Sequence, residues 1–160
     1  MGQAGEVVVA RPESWSLSVV LRLERGGPEV TREPVNPWEW SAGFGFNQAE
    51  IVSGETRRLY MSGQTSVDAN GAVMHAGDIR AQFELAFDNI DTVLAAADMD
   101  RSNVVRITIF TTNVGALIQN WDVYMTRYPE NGYMPADTLI GVASLFEPEL
   151  MVEVEVVAVD

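Results

Sequence analysis

The chain has 160 residues, 47% of them hydrophobic and 21% charged, the size and balance of one globular domain. Its formal net charge of −13 repels phosphate backbones, and no stretch clusters Arg with aromatic residues, so nucleic acid is not an expected partner. No apolar run approaches the ~18 residues of a membrane span, and Met1–Glu6 has neither the basic nor the apolar part of a secretory signal, so no membrane contact and a cytoplasmic location are expected.

In chain order, Trp15, Leu17, Val19, Leu21 and Leu23 alternate with Ser16, Ser18, Arg22 and Glu24, broken only by Val20, a strand pattern. Arg25-Gly26-Gly27-Pro28 interrupts it. Residues 1–35 read as an N-terminal extension, either an extra edge strand or a loose arm, and residues 36–160 as the domain. Arg58 to Ser62 reads as a strand, with Leu59 and Met61 on one face. Val67-Asp68-Ala69-Asn70-Gly71 supplies an Asn-Gly turn, and Ala72 to His75 is expected to pair back as a hairpin partner.

Ile79, Phe83, Ala86, Phe87, Ile90, Val93, Leu94 and Ala97 recur every three or four residues and predict an amphipathic helix, with Asp78 at its positive end. Val104 to Thr111 is a β-branched strand apolar on both faces, as in the middle of a covered sheet. A second helix is expected over roughly Gly115–Tyr128, and Pro129-Glu130-Asn131-Gly132 ends it. Thr138–Ser144 and Met151–Val159 close the chain as strands. The order β-β-α-β-α-β-β predicts an α+β fold, one mixed sheet with both helices packed on one face. In the last strand Val152, Val154, Val156 and Ala158 face the helices, so Glu153 and Glu155 share the opposite face.

The chain has no Cys and no Lys, and His75 is its only His. Disulfides, thiolate chemistry, Schiff-base catalysis and a multi-His metal site within one chain are therefore excluded. Chemistry must come from carboxylates, Arg, hydroxyls, backbone groups and bound water.

Ser62-Gly63-Gln64 after the first of these strands, Asp68 with Asn70-Gly71, Gln82, Asp88-Asn89-Ile90, Pro135-Ala136 and Val152-Glu153-Val154-Glu155 occur in an order and spacing that resembles the Rid/YjgF family of enamine/imine deaminases, some of which carry an endoribonuclease label. The resemblance spans Phe46 to Val159. It implies a homotrimer with a barrel-like core and a small-molecule cleft between neighbouring subunits, and it implies no cofactor and no metal. Deaminases of the family hold the substrate carboxylate with an Arg after Pro-Ala, and a Glu on the last strand helps place the attacking water. Here Glu153 matches that Glu and Gly63 matches the backbone position of the Ser-Gly-Gln turn. Phe46 stands in place of a Tyr, Trp121 of an Asn, Leu139 of a Cys and Gly141 of a Glu. Asp137 stands in place of the Arg.

Each of these residues also has a plainer reading. Asp137 could be a turn former after Pro135-Ala136, but the resemblance puts it in the cleft. Glu153 could be part of a solvated face, and Glu155 is read that way. Trp121, Tyr124 and Tyr128 have core spacing, with Trp121 the one that the resemblance turns toward the cleft. Phe44 and Phe46 form either a packing loop or a cleft wall, while His75 and Arg57-Arg58 read as surface. The expected function is hydrolysis of, or water addition to, an imine-like or enamine-like compound. Asp137 and Glu153 are the acids, and Phe46, Gly63, Trp121 and Thr138 help bind. With an acid at 137 the cleft is expected to reject simple 2-imino acids, and Asp137 and Glu153 are expected to lie close enough to perturb each other. The alternative is a non-catalytic metabolite-binding trimer.

Overall fold

Residues 30–160 are described by the computed structural model; the alternating stretch from Trp15 to Leu23 lies outside the described residues. Two strands that the sequence pattern did not single out come first. β1 (Thr31–Val35) and β2 (Ala49–Ser53) pair antiparallel as a small sheet of their own. Arg32 ties that sheet down. Its Nη2 donates to both carboxylate oxygens of Glu50, at 2.9 and 2.8 Å, and its Nη1 donates to the Ser102 carbonyl at 2.7 Å. Part of the segment read as an extension thus belongs to the folded body.

The main sheet holds β3 (Arg58–Thr65), β4 (Val104–Thr111), β5 (Ala136–Gly141) and β6 (Val152–Val159) in the spatial order β3-β6-β4-β5. β4 and β5 run parallel and the other neighbours antiparallel, giving the mixed α+β sheet that the element order predicts. The central strands β4 and β6 carry the β-branched runs, which fit a sheet covered on one face. α1 (Ile79–Ala96) begins on Asp78, whose side chain accepts from the Ala81 N–H at 3.0 Å and so satisfies a donor that the helix start leaves free. Phe83, Ala86, Phe87, Ile90 and Leu94 are all buried and pack with Ile107, Ile109, Val152, Val154 and Val156 in one core.

Three expectations are corrected. The hairpin partner at Ala72–His75 is not a strand; only Val67 and Val73 form a bridge. The Asn-Gly turn itself is there, with Gly71 at φ 82 and Asp68 accepting from the N–H of Asn70 and of Ala72. Pairing stops because His75 adopts a left-handed φ of 56 and turns the chain into the start of α1. The second helix divides into α2 (Val114–Ile118) and α3 (Asp122–Arg127). Between them the N–H groups of Asn120, Trp121 and Val123 each bond three residues back, so the ladder tightens to a 3₁₀ turn. β5 starts and ends earlier than Thr138–Ser144, because Asn47 pairs alongside Ala136 and extends the edge backward.

Gln82 is the main polar intrusion into this core. It is fully buried; Nε2 donates to the carbonyls of His75 and Glu149, and Oε1 accepts from the Met151 N–H at 2.7 Å. It therefore ties α1 to the turn just before it and to residues 149–151, 67 and 69 positions away. Gln82→Leu takes this bond from the Glu149 carbonyl and the Met151 N–H, while His75 keeps its bond from the Asp78 N–H, and should lower unfolding stability by about 2–4 kcal/mol, read as a shift of the urea midpoint. A shift equivalent to less than about 1 kcal/mol would mean that water replaces the amide at no cost.

Candidate functional site

The residues expected at the site fall into two groups, and the main sheet separates them. The first group surrounds the start of β5. Residues 36–47 cross this region and are fastened there. The Asn47 N–H donates to the Pro135 carbonyl at 3.3 Å, and Nδ2 of Asn47 donates to Met134 and to Glu50. Trp121 Nε1 donates to the Phe44 carbonyl and the Tyr124 hydroxyl donates to the Gly45 carbonyl, both at 3.0 Å. Gly45 has φ 85, and a Cβ there would lie 2.4 Å from Pro129 Cγ and 2.7 Å from Met125 Sδ. Only glycine permits both the conformation and the approach. Above this loop Trp40 meets Phe44 and Phe46 edge-on, with ring centroids 6.3 and 5.7 Å apart.

Asp137 belongs to this group. It sits opposite Ile107 in the β4–β5 register, and Ile107 is fully buried against the helices, so Asp137 points to the helix side of the sheet. Burial pushes its carboxyl up to about 6, against the pull of the nearby Tyr124 hydroxyl and the Arg106 guanidinium. The Tyr124 hydroxyl favours the charged form as a polar neighbour, while its one proton goes to the Gly45 carbonyl. Asp137 Oδ2 is buried with no hydrogen-bond partner among the described residues, and that is costly for an acid that is mostly ionised at neutral pH. Desolvation likewise raises the Tyr124 hydroxyl, and Asp137 adds to the effect.

The second group lies on the other face. Glu153 sits opposite Phe110 on β4. Ile107 and Phe110 are an odd number of residues apart, so Asp137 and Glu153 project to opposite sides of the sheet. The expected closeness of these two acids therefore does not hold within the chain. Beside Glu153 the β3–β6 register slips between Met61 and Gln64, and this bulge takes Ser62-Gly63 out of regular pairing. The Glu153 side chain fills the space at Gly63, where a Cβ would come within 1.8 Å of its Oε1. Burial, then the neighbouring Glu155, raises the Glu153 carboxyl above the usual glutamate range. Thr138 also faces this side. Its hydroxyl accepts from Arg106 and donates to the Asp137 carbonyl at 2.8 Å.

The chain thus gathers Phe46, Trp121 and Asp137 on the helix side, and Gly63 with Glu153 on the open face, with Thr138 also on that face. Sequence reasoning missed Trp40 and Arg106. The signal for Trp40 was Trp38-Glu39-Trp40, a pair of tryptophans in an aperiodic stretch. Arg106 had no signal beyond being a cation in an otherwise apolar strand. The plainer reading of Tyr124 and Tyr128 as core holds, since both are fully buried. Arg57 pairs with Asp160 and Arg58 with Glu55, and neither is simply solvated. A recess of about 340 Å³ lies elsewhere, on the outer side of α1 between Asp91, Arg101, Arg127 and Tyr133. Both of its Arg side chains are already tied to Asp91, so it has no uncommitted cation to offer. Among the described residues, no three His, Asp or Glu side chains are placed to hold a metal ion, and no helix is long and apolar enough to cross a membrane.

The family model described as endoribonuclease L-PSP matches residues 41–160. The protein DfrA of Myxococcus xanthus is 36% identical over 103 residues, covering 64% of this chain and 76% of that protein. The 2-iminobutanoate/2-iminopropanoate deaminase of Rattus norvegicus is 27% identical over 131 residues, covering 81% of this chain and 91% of that enzyme. Among solved structures, the Rid-family protein YyfB from Yersinia pestis superposes with a TM-score of 0.71 at 30% identity, covering 80% of this chain and 98% of that one.

The Asp137 geometry has a stability consequence. A carboxyl raised from 3.8 to about 6 on folding binds its proton more tightly in the folded chain. Its contribution is therefore most favourable below the unfolded value and is lost as pH rises through about 6. Asp137→Asn, which cannot ionise, should remove this dependence and stabilise the chain at pH 7.5 by on the order of 1–3 kcal/mol. Urea melts of both proteins at pH 5 and pH 7.5 test it. A variant no more stable than the parent at pH 7.5 would show that Asp137 finds a partner in solution.

Proposed function

The chain belongs to the Rid/YjgF family, whose model matches it from residue 41 to its end, and on that premise we propose that it hydrolyses an imine-type or enamine-type small molecule at a cleft between subunits of a homotrimer. The observation that carries this reading is the division of the site. One chain holds the acid and the aromatic wall on the helix side of its sheet and the Gly63–Glu153 pair on the open face. A ligand can touch both only where one copy's helix side meets another copy's open face. The open face suits such a neighbour: Tyr60, paired with Val157, is 72% exposed there and Ile140, further along the sheet, 37%, and exposed apolar residues of this kind call for a cover.

In the proposed reaction Glu153 accepts a proton from a water molecule as its oxygen adds to the imine carbon. The pair of electrons leaving the C=N bond goes to nitrogen, which is protonated. Collapse of the resulting carbinolamine breaks the C–N bond, releasing a carbonyl compound and ammonia or an amine. A glutamate made easier to protonate by burial suits both directions of that transfer. Backbone groups of the Ser62-Gly63 bulge, outside regular pairing, are placed to hold the developing polar atom, and Thr138 with its Arg106 partner borders the same face. The departure from the family pattern lies at Asp137. A carboxylate brought within ~4 Å of it is repelled by about 1 kcal/mol in water and by several times that in a shielded cleft. Simple 2-imino acids, substrates of the rat relative by its name, are therefore poor candidates.

A second reading, a metabolite-binding trimer without turnover, is favoured by that same substitution, since the family's carboxylate grip is absent. Thermal stabilisation by ligands without hydrolysis would support it. RNA cleavage is not part of either reading, because a net charge of −13 and a single His suit neither polyanion binding nor paired-His acid–base chemistry.

Light scattering at micromolar concentration should give about three times the 17.6 kDa chain mass; a monomer would remove the composite site. With imines generated in situ by an amino-acid oxidase, wild type should hydrolyse 2-imino acids poorly, and Asp137→Arg should raise that rate on the order of tenfold. Equal rates for the two proteins would place the carboxylate anchor elsewhere.

A further inference from the structure

Arg32, Arg57, Arg58, Arg80, Arg101 and Arg127 each stand within ion-pair distance of a carboxylate of their own chain. Among the described residues Arg106 is the one Arg that does not, although Glu155 lies only one strand over. Its guanidinium bonds to the neutral Thr138 hydroxyl. The chain has a net charge of −13, so acids are plentiful, yet this half-buried cation has none. Most of the five N–H donors of an Arg remain to be used there, and a desolvated charge without a counter-charge is costly.

Arg106 alternates with the buried Ile107 and so faces the open side of the sheet. The register sets Arg106 opposite Val157 and Ala136, Thr108 opposite Glu155 and Thr138, and Phe110 opposite Glu153 and Ile140. Arg106, Thr108 and Phe110 therefore form a row along β4 that ends beside Glu153, and the bond to Thr138 draws the guanidinium toward that end. Two residues along the strands and two strands across put Thr138 roughly 12 Å from Glu153. A contact of ~3 Å at each end leaves roughly 6 Å within a molecule that touches both.

We propose that Arg106 anchors a terminal oxyanion of the ligand whose reacting carbon lies at Glu153, so that the cleft selects imines or enamines with a remote negative charge. The inference rests on the cleft reading given above and narrows its substrate class. A guanidinium presents paired N–H groups that match a carboxylate or phosphate, and an alkyl spacer between the two ends covers Phe110. A 2-imino acid carries its carboxylate on the atom next to the imine carbon and is too short to reach both residues.

The test uses carbonyl compounds of the kind that imine hydrolysis releases, titrated by calorimetry into the full chain: 6-oxoheptanoate, the neutral 2-heptanone and the short 2-oxobutanoate. Wild type should bind 6-oxoheptanoate on the order of tenfold more tightly than either of the others. Arg106→Gln, which keeps a donor for Thr138, should erase the preference over 2-heptanone, while Arg106→Lys, which keeps the charge, should retain part of it. Equal binding of 6-oxoheptanoate and 2-heptanone, binding of none of the three by wild type, or an unchanged preference in Arg106→Gln would each overturn the proposal. If wild type shows no preference and Arg106→Gln also loses oligomeric mass, the guanidinium serves a neighbouring copy's carboxylate and the proposal falls. The wild-type panel decides even if a variant fails to fold. Hydrolysis of the neutral imine of 2-heptanone, measured on the same samples, separates the two claims. Turnover without anion preference sinks this inference and leaves the proposed function standing, whereas anion preference without turnover does the reverse.

Discussion

Side chains leave a β-strand alternately to one side and the other, and in β6 that alternation divides the molecule's chemistry. Val152, Val154 and Val156 go into the core, and Glu153 must then go the other way. β5 follows the same rule two strands further on, where Asp137 shares the face of the buried Ile107. A one-residue slip of β6 would put a carboxylate among phenylalanines and a valine on the open face, and a slip of β5 would carry Asp137 to the open face, so packing fixes the side each acid faces. The sheet is in effect a partition, and the proposed composite cleft rests on it.

The two acids sit in unlike surroundings for the same reason. Asp137 lies beside the buried Tyr124, where lost hydration dominates. Glu153 leans into the space left by Gly63, is less deeply buried, and feels Glu155 beside it. Environments that differ in this way hold the proton on the two carboxyls for different reasons.

Much of this was legible in the chain itself. The spacing from Ile79 to Ala97, the capping Asp78, the β-branched run Val104–Thr111 and the Val/Glu alternation of the last strand each encode their structure locally, and each appears where expected. Local pattern was less informative wherever distant contacts decide. The long second helix reads as continuous, but its polar middle at Gln119-Asn120 tightens and turns so that Trp121 can reach the Phe44 carbonyl, 77 positions away in sequence. β1 and β2 were invisible because they are held by the Arg32–Glu50 pair and a bond to Ser102, not by strong alternation. Asp137 and Glu153 were both named from the residue pattern, but their separation required the register, which single-strand periodicity does not supply. Trp40 stood in a stretch with no period at all, where only composition hinted at a role.

The wedging of Gly45 between Pro129 and Met125 has a kinetic side. A recognition loop that must close over its ligand loses conformational freedom at that moment and makes association wait for the closure. Here the backbone of the wall is already immobilised by the end of α3, so that ordering has been completed during folding. Encounter with any small molecule of suitable shape should then be fast and nearly indiscriminate. In the proposed cleft, choice among molecules would be expressed in how long each one stays.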